Sequence, residues 1–128
     1  MEGIFGINLF TERYEACVAF YEQVLGLVAY RRTDSLTGFR INERTYLLVE
    51  RGGVATATEK SPEQNPTVLR WDVADLPSAV TRLESRGAVF RERCKRFSWG
   101  TIAVLLDPDG NRIELGEIGP TSLPPTQE

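Results

Sequence analysis

The chain has 128 residues and no histidine, and its 15 basic and 18 acidic residues give a net charge of −3. This length fits one domain, and the charge offers no basic footprint for nucleic acid or for an anionic membrane. Without histidine, Ser-His-Asp and Cys-His catalysis and histidine-based zinc sites are excluded. Cys17 and Cys94 lack metal-ligand spacing. With neither a basic leader nor an apolar run of membrane length, the sequence predicts a reduced, cytoplasmic protein.

The first half of the chain predicts a strand, a helix and three further strands. The strand covers residues 4–10, and Thr11 is expected to be the N-cap of the helix. Apolar side chains then recur at helical spacing as far as Leu25, and Gly26 ends the helix. The three strands that follow are predicted near residues 27–32, 36–41 and 45–51.

The second half repeats this plan after residues 52–66, which have no periodicity and predict an exposed linker. A strand at 68–73 leads to a helix that Asp75 caps and Gly87 ends. The last three strands are predicted near residues 88–95, 100–106 and 111–117. Between the final two, residues 107–111 predict a hairpin turn in which glycine adopts a positive φ, because their order does not fit a calcium loop.

The chain therefore predicts an α+β fold of two βαβββ modules, residues 3–51 and 67–117, within a single domain at residues 1–118. Neither module can bury its apolar face alone, so we expect the two to form a curved mixed sheet with a concave cleft for a ligand. The proline-rich residues 119–128 predict a flexible tail.

Three segments carry a resemblance to a known family. They are Ala-Phe-Tyr-Glu-Gln-Val-Leu-Gly-Leu at 19–27, Trp-Asp-Val-Ala-Asp-Leu at 71–76, and Leu-Asp-Pro-Asp-Gly-Asn-Arg-Ile-Glu-Leu at 106–115. Together they resemble the vicinal oxygen chelate superfamily, which includes glyoxalase I, extradiol dioxygenases, fosfomycin-resistance enzymes and bleomycin-resistance proteins. The resemblance covers residues 3–117 and implies a homodimer. It is weaker evidence for function, because this scaffold hosts many activities.

Period-two alternation predicts which side chains of the outer strands face the cleft. On the first module these are Gly6, Asn8, Phe10, Tyr46, Leu48 and Glu50. On the second module they are Val68, Arg70, Asp72, Arg112, Glu114 and Gly116. An aromatic lining is also expected from Phe10, Phe39, Tyr46, Phe97 and Trp99.

In metal-dependent members of the family, the ligands come from the first and last strands of each module. The resemblance places these positions on Gly6, Leu48, Val68 and Glu114. Only Glu114 has a ligand-type side chain, so the metal is predicted to be absent and no cofactor is expected. A divalent-metal site rebuilt from Glu114, Asp72 and Glu50 is the alternative, and Arg70 and Arg112 on the same face argue against it.

The predicted function is binding of a small organic molecule, a drug or a metabolite, as in the bleomycin-resistance type. The predicted binding residues are Asn8, Tyr46, Leu48, Glu50, Arg70, Trp99, Arg112 and Glu114. The alternative is a lyase, isomerase or dioxygenase that uses a divalent metal or Glu114 as general base. Against catalysis, Glu114 is expected to pair with Arg70 or Arg112. These arginines either bind an anionic ligand or neutralise the nearby carboxylates. A third possibility is an interaction module whose cleft is filled by the partner chain or by its own side chains.

Overall fold

A computed structural model describes residues 1–117, and the predicted tail at 119–128 lies outside them. The strands are β1 (Phe5–Thr11), β2 (Val28–Arg32), β3 (Leu36–Asn42), β4 (Thr45–Arg51), β5 (Leu69–Val73), β6 (Phe90–Phe97), β7 (Gly100–Leu106) and β8 (Arg112–Glu117). The helices are α1 (Tyr14–Ala19), a π-helix (Phe20–Val24) and α2 (Leu76–Ser85). This order confirms the predicted α+β class and the two βαβββ modules.

Each module forms its own four-stranded mixed sheet within the described residues. The first has the order β1-β4-β3-β2 and the second the order β5-β8-β7-β6. In both, the outermost strand before the helix runs parallel to the last strand of its module, and the other pairs are antiparallel. The described chain divides into two compact units, the first with residues 1–60 and 107–111, the second with 61–106 and 112–117.

The first unit buries one face of its sheet against α1 and the π-helix. Leu9, Leu47 and Val49 are buried, while Asn8 and Phe10, on either side of Leu9 in β1, are exposed. From the other side of this core, α1 and the π-helix contribute the buried side chains Tyr14, Cys17, Val18 and Tyr21. The period-two pattern predicted for these strands is therefore present.

The predicted N-cap of the first helix is wrong. Thr11 remains in β1 and pairs with Arg51, and α1 begins three residues later with Arg13 as its N-cap. The Thr11 side chain is fully buried, accepts a hydrogen bond from the Arg13 backbone N–H at 3.0 Å and donates one to Cys17 Sγ at 3.2 Å. Its hydroxyl thus closes a local turn before the helix instead of capping the helix.

The second unit follows its sequence signals more closely. Asp75 caps α2, and its carboxylate accepts a hydrogen bond from the Ser78 backbone N–H at 3.0 Å, which lowers the pKa of Asp75. The helix buries one apolar stripe made of Leu76, Ala79, Val80 and Leu83. Gly87 follows with φ +101°, a conformation that glycine adopts without Cβ strain. Among the described residues, no helix has the length and apolar character needed to cross a membrane.

A turn with two buried carboxylates, Asp107–Asn111, completes the first unit; we name it the carboxylate turn. Gly110 has φ +87° and its N–H donates to the Asp107 carbonyl at 3.0 Å, so the predicted hairpin turn is confirmed. The sequence did not predict its burial. The Asp107 carboxylate accepts hydrogen bonds from the Tyr21 hydroxyl at 2.8 Å and from the backbone N–H groups of Asp109 and Asn111 at 2.8 and 3.0 Å.

The linker is not simply exposed, as its composition suggested, because part of it docks on the carboxylate turn. Lys60 Nζ lies 2.9 Å from Asp109 Oδ2, and the two side chains are only 7% and 0% exposed. The backbone N–H groups of Thr56 and Lys60 also donate to the carbonyls of Asp109 and Gly110, at 3.2 and 2.8 Å. Buried polar groups need such partners, and a sequence pattern does not show a partner 49 residues away.

Candidate functional site

The open face of the first sheet brings together all four binding residues predicted for the first module. Strand register sets Gly6 beside Tyr46, Tyr46 beside Arg40, and Arg40 beside Val28. The next row along the sheet has Asn8 beside Leu48 and Leu48 beside Gly38, and the row after it has Phe10, Glu50 and Leu36. We call this surface the Tyr46 face.

Two tyrosine rings lie over glycine backbones on the Tyr46 face. A Cβ atom at Gly6 would overlap the Tyr46 ring, and one at Gly38 would lie 2.7 Å from Tyr30 Cζ. Aromatic rings that cover cross-strand glycines protect the bare backbone and help to fix the strand register. The Arg40 guanidinium lies 6.0 Å from the centre of the Tyr30 ring, at the outer range of a cation–π contact.

Tyr30, Arg40 and Tyr46 line a cavity of about 310 Å³. The rest of its lining is Ile4, Asn42, Glu43 and Thr45. Its size is at the lower end of the range for small-molecule sites. The sequence prediction included Tyr46 but missed Tyr30 and Arg40. Period two along β3, applied to Gly38 and Arg40, would have placed Arg40 on this face. Tyr30 escapes that rule because the register of β2 shifts between Ala29 and Arg31.

The predicted residues of the second module form a charged cluster on the second sheet. Arg70 and Glu114 are cross-strand neighbours, with Arg70 Nη1 3.2 Å from Glu114 Oε1, and Arg112 Nε is 2.8 Å from Glu114 Oε2. Arg70 also donates to Asp72 Oδ1 from Nε and Nη2, at 3.2 and 3.1 Å. The expected pairing of Glu114 with arginine is thus present with both arginines, and each of its oxygens accepts a hydrogen bond.

The positions that hold a metal in relatives do not fit a metal in this chain. The Tyr46 ring covers the Gly6 position, and Leu48 and Val68 have no donor atoms. Glu114, the remaining position, already forms ion pairs with the guanidinium groups of Arg70 and Arg112. Among residues 1–117, no group of three or more cysteine, aspartate or glutamate side chains comes close enough to hold a metal ion.

The aromatic residues predicted to line a cleft have different locations. Phe39 is fully buried on the helix side of its sheet beside Tyr21, so its predicted place in the lining is wrong. Trp99 lies in the turn between β6 and β7, is 64% exposed, and stacks on Phe97 with ring centres 5.1 Å apart.

On the first sheet, Asn8 is exposed and Glu50 half-buried, and neither side chain makes a hydrogen bond within the described part of the chain.

Residues 3–115 match the family model of the Glyoxalase/Bleomycin resistance protein/Dioxygenase superfamily. The chain belongs to this superfamily. The match runs from before β1 into β8 and confirms the resemblance seen in the sequence. No curated protein matches the chain by sequence.

Solved structures share the fold at low sequence identity. A glyoxalase/bleomycin resistance protein/dioxygenase from Nocardioides has a TM-score of 0.76 at 17% identity, over 100% of this chain and 91% of its own. Lactoylglutathione lyase from Agrobacterium tumefaciens has a TM-score of 0.70 at 21% identity, over 91% and 94%. TnmS3, an antibiotic binding protein from Streptomyces sp. CB03234, has a TM-score of 0.71 at 19% identity, over 93% and 98%.

The two cysteines of this superfamily member lie in opposite environments. Cys17 is fully buried, and Cys94 is exposed on β6. Burial, and next the negative charge of Asp107, raise the pKa of Cys17 from 9.0 to about 12. The Cys17 thiol is therefore protonated and shielded from solvent at neutral pH. Because only the thiolate attacks a reagent, we expect Cys17 to be unreactive in the folded protein.

We predict that a disulfide reagent at pH 8 labels one thiol per native chain and two per unfolded chain. The folded state holds the Cys17 proton more tightly than the unfolded chain does. This contribution to stability is therefore complete below pH 9 and is lost as the pH rises from about 9 to about 12. Cys94→Ser is the control, and rapid labelling of this variant in its native state would contradict the prediction.

Proposed function

We propose that this protein binds a small organic molecule on the Tyr46 face, without a resident metal ion. The observation that carries the proposal is the cavity of about 310 Å³ that Tyr30, Tyr46 and Arg40 line. Aromatic walls with a few polar groups are typical of small-molecule sites. Among residues 1–117, the Arg40 guanidinium has no carboxylate within ion-pair distance, so it is available to a ligand.

These features favour a ligand with a flat apolar part and an acidic or hydrogen-bond-accepting group. The flat part would contact the tyrosine rings, and the acceptor would bind the guanidinium, whose planar fork suits carboxylates. The similarity to TnmS3, which is described as an antibiotic binding protein, supports a binding role in this superfamily. The similarity to a lyase shows that the scaffold alone does not decide between binding and catalysis.

The geometry does not favour the enzymatic alternative. A general base must come within hydrogen-bond distance of the proton that it abstracts. Both oxygens of Glu114 accept hydrogen bonds from arginine, and its side chain is 20% exposed. The contributions of Asn8, Leu48, Glu50, Arg70, Trp99, Arg112 and Glu114 to ligand binding stay predictions. The homodimer and the cytoplasmic location also stay predictions.

A thermal-shift screen of small aromatic acids, with and without EDTA, tests the proposal. We expect at least one compound to stabilise the protein equally in both conditions. Calorimetric titration of that compound should give binding about tenfold weaker for Arg40→Gln, because one charge-assisted hydrogen bond is worth about 1.5 kcal/mol or more. Tyr46→Leu, which keeps an apolar side chain over Gly6, should weaken binding by a similar factor.

Two further variants make this test specific. Val89→Ala, an 83% exposed position on the second unit, is the control and should bind like the parent chain. Trp99→Ala tests the predicted contribution of the Trp99 ring to ligand binding, and weaker binding by this variant would support it. The proposal fails if no aromatic compound stabilises the protein, if EDTA abolishes the effect, or if both Tyr46→Leu and Arg40→Gln bind normally.

A further inference from the structure

A second cavity lies on the opposite side of the first sheet, where the helices pack. It has a volume of about 440 Å³, and α1, the π-helix, the β2–β3 turn and the end of β4 contribute its walls. Thr37, which lines it, pairs with Val49 and is buried on the helix side of the sheet. This cavity is therefore separate from the Tyr46 face, and nothing in the proposed function uses it.

The floor of the cavity is a pair of hydrogen-bonded hydroxyl groups. Tyr14 Oη lies 2.6 Å from Thr37 Oγ1 and donates to the Thr33 carbonyl at 2.9 Å. Val18 and Ala19 on α1 add apolar wall beside this floor. These hydroxyls are satisfied within the protein, so this part of the wall leaves mainly carbon surface to a ligand, and the cavity volume is within the size range of ligand sites.

Two ion pairs are formed by residues that line the cavity. Arg32 pairs with Glu22, and Arg51 pairs with Glu15, so each guanidinium is neutralised by a helix carboxylate. Arg51 is also held over the Tyr14 ring, 4.6 Å from its centre, and donates to the Asp34 carbonyl at 2.8 Å.

Asp34 supplies the remaining charge. It lines the cavity as the third carboxylate against two guanidinium groups. Within residues 1–117, neither the Asp34 carboxylate nor the Gln23 side-chain amide has a hydrogen-bond or ion-pair partner. Asp34 and Gln23 are both exposed, so a cationic ligand would meet acceptors that water occupies and no protein group does, whereas an anion would have to displace one of the existing ion pairs.

The π-helix brings two of the lining side chains to the rim. Its wide turn is closed by a hydrogen bond from the Leu25 N–H to the Phe20 carbonyl at 3.1 Å, and it contains both Glu22 and Gln23. π-Helical turns are uncommon and occur frequently at functional sites. The turn therefore adds an independent reason to regard this cavity as a site.

We propose that this cavity binds a small organic cation, an alkyl ammonium whose charged group contacts Asp34 and whose carbon chain lies against Val18 and Ala19. The ammonium donates hydrogen bonds to the exposed Asp34 carboxylate and to the Gln23 amide oxygen, in place of water. The carbon chain covers the apolar wall that the cavity leaves open. An anion or a neutral molecule of the same size satisfies only part of this arrangement.

A nuclear magnetic resonance titration of the full-length chain with 1,4-diaminobutane tests the proposal. We expect saturable shifts at the backbone amides of Val18, Ala19 and Asp34 and at the Gln23 side-chain amide, with a Kd on the order of 1 mM. Sodium butyrate and n-butanol, at equal ionic strength, should leave these signals in place. Asp34→Asn should weaken diamine binding about tenfold, and Gln23→Lys, which adds a competing cation, should abolish it.

Matched variants separate this site from the other charges and from the Tyr46 face. Glu63→Gln removes an exposed carboxylate outside the cavity and should not change diamine binding. Tyr46→Leu should also leave it unchanged, so failure of the proposed function and failure of this inference are distinguishable. Equal shifts with butyrate, unchanged binding in Asp34→Asn and Gln23→Lys, or shifts spread over all exposed carboxylates would overturn the inference.

Discussion

Lys60→Met is expected to lower the free energy of unfolding by about 3–5 kcal/mol, because it removes one partner of a buried ion pair. The Asp109 carboxylate would remain fully buried after the change. Its other oxygen, Oδ1, already has no hydrogen-bond partner among the described residues. The whole carboxylate would then lack a counter-charge. Urea unfolding of the parent and variant chains, followed by circular dichroism, measures the difference.

Two comparisons show whether burial of the charge causes this loss. Arg93→Met breaks the pair with Glu84 on the second unit, where the arginine side chain is 63% exposed, and should have a much smaller effect because water and salt screen such pairs. Lys60→Met combined with Asp109→Leu should recover most of the stability, since it removes both charges of this buried pair. A Lys60→Met chain as stable as Arg93→Met would refute the explanation.

Gly110→Ala is expected to cost about 2–4 kcal/mol of stability, from backbone strain and close packing together. Gly110 has φ +87°, and an added Cβ would overlap Thr56 Oγ1 and lie 2.6 Å from the Thr58 carbonyl oxygen. The carbonyl belongs to the backbone and cannot rotate away. The linker segment would therefore have to move off the carboxylate turn, and thermal unfolding measures the resulting loss.

Gly87→Ala is the matched control for this substitution. Gly87 also has a positive φ, +101°, but an added Cβ would meet no atom within 4 Å. Its cost should be the backbone strain alone, about 1–2 kcal/mol. If Gly110→Ala and Gly87→Ala lose equal stability, close packing of the linker on the carboxylate turn is not significant.

The sequence predicted the strands and their faces because one buried face imposes a two-residue period. Leu9, Leu47 and Val49 are buried on the helix side, and Asn8 and Tyr46 lie on the open side as expected. The order of helices and strands was predicted equally well. Asp75, Gly26 and Gly87 mark helix ends, and these local signals need no distant partner.

The polar interior of the first unit could not be predicted in this way. Asp107 and Asp109 lie in a segment that reads as an ordinary exposed turn, and nothing local indicates that both are buried. The hydroxyl that bonds to Asp107 comes from Tyr21, 86 residues earlier in the chain. Only the tertiary fold makes such pairs, so a pattern of neighbouring residues contains no signal for them.

The candidate site was predicted in part for the same reason. Period-two alternation along the strands placed Tyr46, Leu48 and Glu50 on one face and Arg70 and Glu114 on another. The orientation of Tyr30 over Gly38 depends on an irregularity in the β2 register, which the sequence does not show. The π-helix also escaped prediction, because the apolar spacing of residues 20–24 fits an α-helix equally well.

The carboxylate turn has a consequence for how the chain folds during synthesis. The first sixty residues contain every strand of the first sheet. The carboxylate that accepts from the Tyr21 hydroxyl and the one that pairs with Lys60 belong to Asp107 and Asp109, which are synthesised much later. Until then a nascent first module would keep these groups in water or leave them unsatisfied. Contacts so distant in sequence slow folding. The early half therefore becomes fully native only after most of the later half has been translated.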